Sequence, residues 1–270
     1  MLDELFAALD RRLRAIPSQR RALFILVFGI LLIAALIALD QGLLRPFINS
    51  SLTPNADLPY FRDRTQTVLD GGWLYRDTKY GVESPPLITY LMLPPQILGG
   101  ADIAYEIYFA SFTVISAVVL YLGLRRFNDY RAFIAALLFL LMPYGTVEST
   151  FGIEDDAIAG LILLIGILLM LHERLRSSAF AIAIGAWTKV FSVLVYPILF
   201  IHSKSWRERG IHLTIIGVVS FLIALPFLLV VPNQFLQFPA YYFLGTEPST
   251  GGTTGGMSFW DFLNMGGLPV

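Results

Sequence analysis

Long apolar runs alternate with short charged gaps along this chain. A hydrocarbon core of ~30 Å takes about 20 apolar residues per helix, with ~17 as a practical minimum. Five runs reach or approach that length: residues 22–39, 103–124, 132–147, 157–172 and 211–231. Two further stretches are harder to read. Residues 85–98 are short and carry Pro94-Pro95, which breaks a helix interior. Residues 179–201 are long enough but hold Trp187-Thr188-Lys189 at their centre.

The composition agrees with a membrane protein. Hydrophobic residues make up 56% of the chain and charged residues 14%, and mean hydropathy is +0.68. A soluble domain is about 45–50% apolar and about 25% charged. The formal net charge of −1 offers nothing to nucleic acid, and with no cysteine there is no disulfide, thiolate metal site or cysteine nucleophile. The first run is followed by no small-residue cleavage signal, so it reads as a retained span.

The distribution of charge orients the chain. Basic clusters stand at Arg11–Arg21, Arg125–Arg131, Arg174–Arg176 and Lys204–Arg209, and by the positive-inside rule all four belong to the cytoplasm. An even number of crossings must then separate each pair. Residues 85–98 become a short interfacial or re-entrant element, and 179–201 becomes two short helices hinged near Lys189. Thirteen of the 19 Lys and Arg then fall inside, and 14 of the 20 Asp and Glu outside.

The expected fold is an all-α polytopic membrane protein of about seven crossings. Its first outer loop (40–102) carries short interfacial helices. Residues 1–231 form the transmembrane domain, and 232–270 a non-cytoplasmic tail belonging to a larger architecture. Irregular backbone at membrane depth needs cover from protein or a wet cavity, which puts Lys189 at a polar site near the outer surface.

The outer loop holds the candidate chemistry. Asp57 lies near its start and Glu83 before Pro85-Pro86, with Arg62, Arg64, Arg76 and Lys79 between them. Cations among carboxylates suit a phosphate or pyrophosphate ligand; a solvated loop with surface ion pairs is the plain alternative. Gly71-Gly72 reads as the stop of a helix running through Arg64–Asp70.

The order Asp57, then YFRDR, VLDGGWLYRDT and VESPPLITYL, followed by a span ending in LGLRRF, resembles the integral-membrane glycosyltransferases of the C-type fold. Among them are polyprenol-phosphate-mannose-dependent mannosyltransferases, protein O-mannosyltransferases and lipid A aminoarabinose transferases. The resemblance implies a polyprenyl-phosphate-linked sugar as donor, and active-site roles for Asp57 and Glu83. It also implies a lysine in the short helical pair, here Lys189. Ser84 departs from the pattern, standing where aminoarabinose transferases often have Lys.

Such a transfer needs a base for the acceptor hydroxyl, assigned to Asp57. It also needs cations for the departing phosphate, assigned to Lys189, Arg62 and Arg64. Glu154, Asp155 and Asp156 open the fourth span, where acids favour a helix N-terminus. Their functional reading is an acceptor-sugar or divalent-cation site, and no other cofactor is implied. His172, His202 and His212 stand at cytoplasmic helix ends as interface anchors. The acceptor is a lipid, glycan or protein, and the location a plasma or inner membrane with the N-terminus cytoplasmic. Two alternatives remain at this level: a transporter or flippase of lipid-linked sugars, and a non-catalytic lipid-binding subunit.

Overall fold

The computed structural model describes residues 2–44 and 57–244, and these are helical and irregular throughout, without a strand. They divide into two compact units, Met1–Ala56 with Ala101–Ser178 and Asp57–Gly100 with Ala179–Val270.

The first unit contains α1 (Leu2–Ala15) and α2 (Ser18–Leu39), the latter running on as a π-helical turn over Asp40–Leu44. After the outer loop come α6 (Asp102–Leu124), α7 (Asp129–Leu141), α8 (Pro143–Thr150) and α9 (Asp156–Leu171). Helix α6 is central, with α2, α7, α8 and α9 all packed against it. The core joins Ile25 of α2, Ala117 and Tyr121 of α6, and Ala132, Phe133, Ala136 and Leu140 of α7. Small residues let the helix backbones approach, which matters where lipid supplies no hydrophobic drive between helices. Gly29 is one such contact: a Cβ there would stand 2.9 Å from Val114 Cγ1.

A polar clamp closes the arginine-bearing end of this bundle. Buried Arg21 pairs with Asp129, and its Nε donates to the Ile16 carbonyl at 3.1 Å. Tyr121 donates to Asp129 Oδ1 at 2.7 Å. A charge inside a membrane bundle is tolerated when its partners are fixed in this way.

The second unit holds α3 (Leu58–Leu69), α4 (Pro86–Leu91) and α5 (Leu93–Ile97) from the outer loop. It also holds most of α10 (Leu175–Thr188), a 3-10 segment Val190–Val195, α11 (Tyr196–His202), α12 (Trp206–Val230), α13 (Pro232–Phe235) and α14 (Gln237–Leu244). The stop at Gly71-Gly72 is as expected. Gly71 takes φ +79°, and the Gly72 and Gly71 amides donate to the Thr67 and Val68 carbonyls at 2.8 and 3.1 Å. This is the 6→1 and 5→2 pairing of a Schellman cap.

Leu74 and Tyr75 then dock the hydrophilic stretch onto an aromatic cluster. Tyr75 lies 5.4, 5.2 and 5.9 Å from Phe227, Phe235 and Phe238, ring centre to ring centre. Trp187 stacks on Phe235 at 6.0 Å. The aromatic content of the charged loop is what fastens it.

By length and apolarity three helical stretches among the described residues can cross a membrane: Ser18–Leu44, Asp102–Leu124 and Trp206–Val230. A fourth is available if α7 and α8 count as one span bent by 47°. The sequence suggests a single run over 132–147. Pro143 interrupts it, because a proline ring cannot continue the hydrogen-bond ladder and disfavours helical backbone at Met142. The two ambiguous stretches resolve as expected: 85–98 forms the short helices α4 and α5, and 179–201 breaks at Lys189, where φ is −144° and ψ 132°. Apolar side chains such as Leu23, Ile30 and Leu31 of α2 and Phe221, Leu222 and Leu229 of α12 are more than half exposed. A surface of that kind is matched to hydrocarbon.

Candidate active site

The expected site residues separate cleanly between the two units. Asp57, Arg62, Arg64, Glu83 and Lys189 belong to the second, and Glu154, Asp155 and Asp156 to the first.

In the second unit Asp57 occupies the N-cap position of α3. Its carbonyl accepts from the Phe61 amide at 3.0 Å, but its side chain makes no capping bond and is exposed. The exposed carboxylate is accessible to substrate. Arg62 and Arg64, two residues apart on a helix, face different ways. The Arg62 Nε donates to the Gly100 carbonyl at 2.7 Å. Arg64 is buried, and its Nη1 and Nη2 donate to Ser84 Oγ at 3.1 Å and the Gly81 carbonyl at 3.2 Å. The Tyr75 hydroxyl donates to the Ser84 carbonyl at 2.8 Å, and the Tyr80 amide donates to Asp63 at 3.1 Å.

Segment 80–84, which delivers half-buried Glu83, is thus tied to α3 by Arg64 and Asp63 and to the aromatic cluster through Tyr75. Ser84, the departure from the family pattern, is the residue both ties use. Lys189 is half-buried at the break after α10, its amide bonded to the Gly185 carbonyl at 2.7 Å.

In the first unit Glu154 and Asp156 line a cavity of about 150 Å³ with Tyr144, Glu148, Thr113 and Ser149. Asp155 is buried at the N-cap of α9 with no side-chain capping bond. The dipole-complementing role expected of one acid falls to Asp156 in the first turn. Preceding them, Ile153 has φ +52° and is buried. A β-branched residue there is a genuine outlier, of the kind that gathers at functional sites. The Glu154 amide donates to the Glu148 carbonyl at 3.0 Å, folding the turn back on itself. Among the described residues no three acidic or imidazole side chains are grouped to hold a metal ion.

Sequence reading passed over several polar residues. Glu106, fully buried in α6, accepts from Gln41 Nε2 at 2.8 Å, and the same amide lies 3.4 Å from buried Asp40. The signal was present, since an ionisable residue inside a span is functional or paired by default. Glu148 and Tyr144, on α8 just before the acidic triplet, were also visible, but spacing alone does not fold them over it. His172 and His212 have carbonyl and hydroxyl partners, Gly123 at 2.7 Å and Ser203 at 2.9 Å.

Apolar spans, a charged loop docked by aromatics and accessible carboxylates define a helical membrane protein with candidate chemistry at its polar segments. Residues 84–266 match glycosyltransferase family 87, and the chain belongs to that family. It is therefore a membrane glycosyltransferase, of the polyprenyl-phosphate-sugar-dependent C-type class. The matched stretch includes Glu154, Asp155, Asp156 and Lys189 and begins just after Glu83. No curated protein and no solved structure matches the chain.

Proposed function

We propose that this protein moves a hexose, with mannose the first candidate, from a polyprenyl-phosphate donor to a lipid, glycan or protein acceptor. The observation that carries the assignment of the base is Asp57: exposed, uncapped, at a helix N-terminus, in the segment leading into the family match. In this reading Asp57 takes the proton of the acceptor hydroxyl as that oxygen attacks the anomeric carbon. The bond from that carbon to the phosphate oxygen breaks, and polyprenyl phosphate leaves with the electron pair. Lys189, Arg62 and Arg64 supply positive charge toward the departing phosphate, and Glu83 orients the reacting sugar. Glu154 and Asp156, with the acids and hydroxyls around them, bind acceptor hydroxyls; a divalent cation is an alternative ligand there.

The proposal includes about seven crossings, with the arginine clusters cytoplasmic and the reaction on the opposite face. The helix break at Lys189 and the short helices over 86–97 support that topology. Purified protein incubated with radiolabelled polyprenyl-phosphate sugars, one at a time, identifies the donor by which is consumed. Asp57→Asn should abolish consumption while the protein remains folded in the membrane. Sustained transfer by that variant removes Asp57 from the role.

A further inference from the structure

A cavity of about 820 Å³ lies in the first unit, where α1, α2 and α7 meet. Its wall is hydrocarbon: Leu13, Phe24, Phe28, Ile134, Leu138 and Leu141 are among its lining residues. Its polar residues sit at one end, where Asp10, Tyr130 and Arg131 come together. Asp10 is already committed, because Arg14 donates to it at 2.7 Å and Tyr130 donates to it as well. These bonds, Arg14 first, hold its carboxyl below the ordinary carboxylate range. The Arg131 guanidinium is exposed and has no hydrogen-bond or ion-pair partner among the described residues. Arg11, Arg12 and Arg20 are exposed on the adjoining segments.

We infer that this groove is a binding site for an anionic glycerophospholipid, its acyl chain along Phe24, Phe28 and Leu138 and its phosphate on Arg131. Three observations select the occupant. The volume falls within the ~300–1,000 Å³ of sites that enclose small molecules. Phe24 and Phe28 belong to a stretch able to cross a membrane, so the apolar wall stands at hydrocarbon depth. The polar end adds an uncommitted cation among arginines, and such clusters beside a span attract anionic lipid. The groove is separate from the proposed chemistry. It shares no lining residue with the acidic cavity, and its charged end at Arg131 is ~12 Å along α7, at ~1.5 Å per residue, from Phe139, which lines that cavity. The residues assigned to the donor phosphate all lie in the other unit.

The test is lipid retention. Protein purified from nanodiscs of equal phosphatidylglycerol and phosphatidylcholine is analysed by mass spectrometry for bound lipid. The expected result is preferential retention of phosphatidylglycerol. Arg131→Glu should reduce it at least about fivefold, the scale of one basic residue near an anionic surface. Leu138→Trp, at a position already more than half exposed, should fill the groove and reduce retention of both lipids. Equal retention of the two lipids by the unmodified protein overturns the inference. So does an unchanged lipid ratio in Arg131→Glu, or recovery of polyprenyl phosphate in place of phospholipid.

Discussion

The two units of this protein handle polar groups in opposite ways. In the first, polar side chains inside the bundle are matched to one another: Asp129 with Arg21 and Tyr121, Gln41 with Glu106, Thr113 with Ser149 at 3.0 Å. Each match joins two helices, because a polar group in hydrocarbon without a partner costs several kcal/mol. In the second, a charged loop is held by its rings. Tyr75 and Leu74 sink into a cluster with Phe227, Phe235 and Phe238, while Asp57 stays at the surface. Apolar burial has no directional demand, so a loop fastened by aromatics can leave a carboxylate such as Asp57 exposed. In the bundle the acids that join helices, Asp129 and Glu106, are taken up by their partners.

The sharpest way to break this contrast is at Asp57. If the second unit's exposed acid does the chemistry, Asp57→Asn lowers kcat by ~10²–10⁴-fold, the usual contribution of a general base, with the melting temperature unchanged. Next in size is Asp129→Ala, in which Arg21 stays buried without its counter-charge. A loss of ~3 kcal/mol in thermal or denaturant unfolding is expected, and a loss near zero would mean the clamp is ornamental.

Tyr75→Ala tests the other fastening. Removing a buried ring costs ~3 kcal/mol or more, and proteolysis within residues 70–85 should rise before the bundle unfolds. Tyr75→Phe, which deletes only the bond to Ser84, should cost ~1 kcal/mol. Gly29→Ala presses on Val114 and Leu140 at 2.9 and 3.3 Å, and overpacking of that kind costs ~1–3 kcal/mol.

The smallest effect lies in acid. Arg76 and the Trp73 amide hold the Asp77 carboxyl at about 2, below its ordinary 3.8. A lowered value in the folded protein means the bond stabilises the turn at pH values above ~4. That contribution fades as pH falls toward ~2, and Asp77→Asn should flatten the dependence in this window. Because the pair is solvent-exposed, the change should also shrink in high salt.

Much of the architecture was legible because it is local. The five apolar runs, the helix stop at Gly71-Gly72, the short elements at 85–98 and the break at Lys189 each follow from nearby residues. The bend between α7 and α8 was legible in principle too, since Pro143 stands within the run that reads as one span. The site was less legible. Arg64 looks like any loop arginine until the fold buries it against Gly81 and Ser84, and Glu106 looks like a membrane charge until Gln41 is brought to it from the end of α2.

The sequence by itself determined the solvent this protein lives in, the places its helices begin and stop, and, through the family it matches, glycosyl transfer as its activity. Those properties depend on hydrocarbon length and on backbone choices within a few residues. Tertiary structure decided which charged groups hold helices together and which remain for chemistry. That division depends on partners drawn from distant parts of the chain, such as Asp129 for Arg21 and Phe227 for Tyr75, and no local pattern encodes a meeting across a hundred residues.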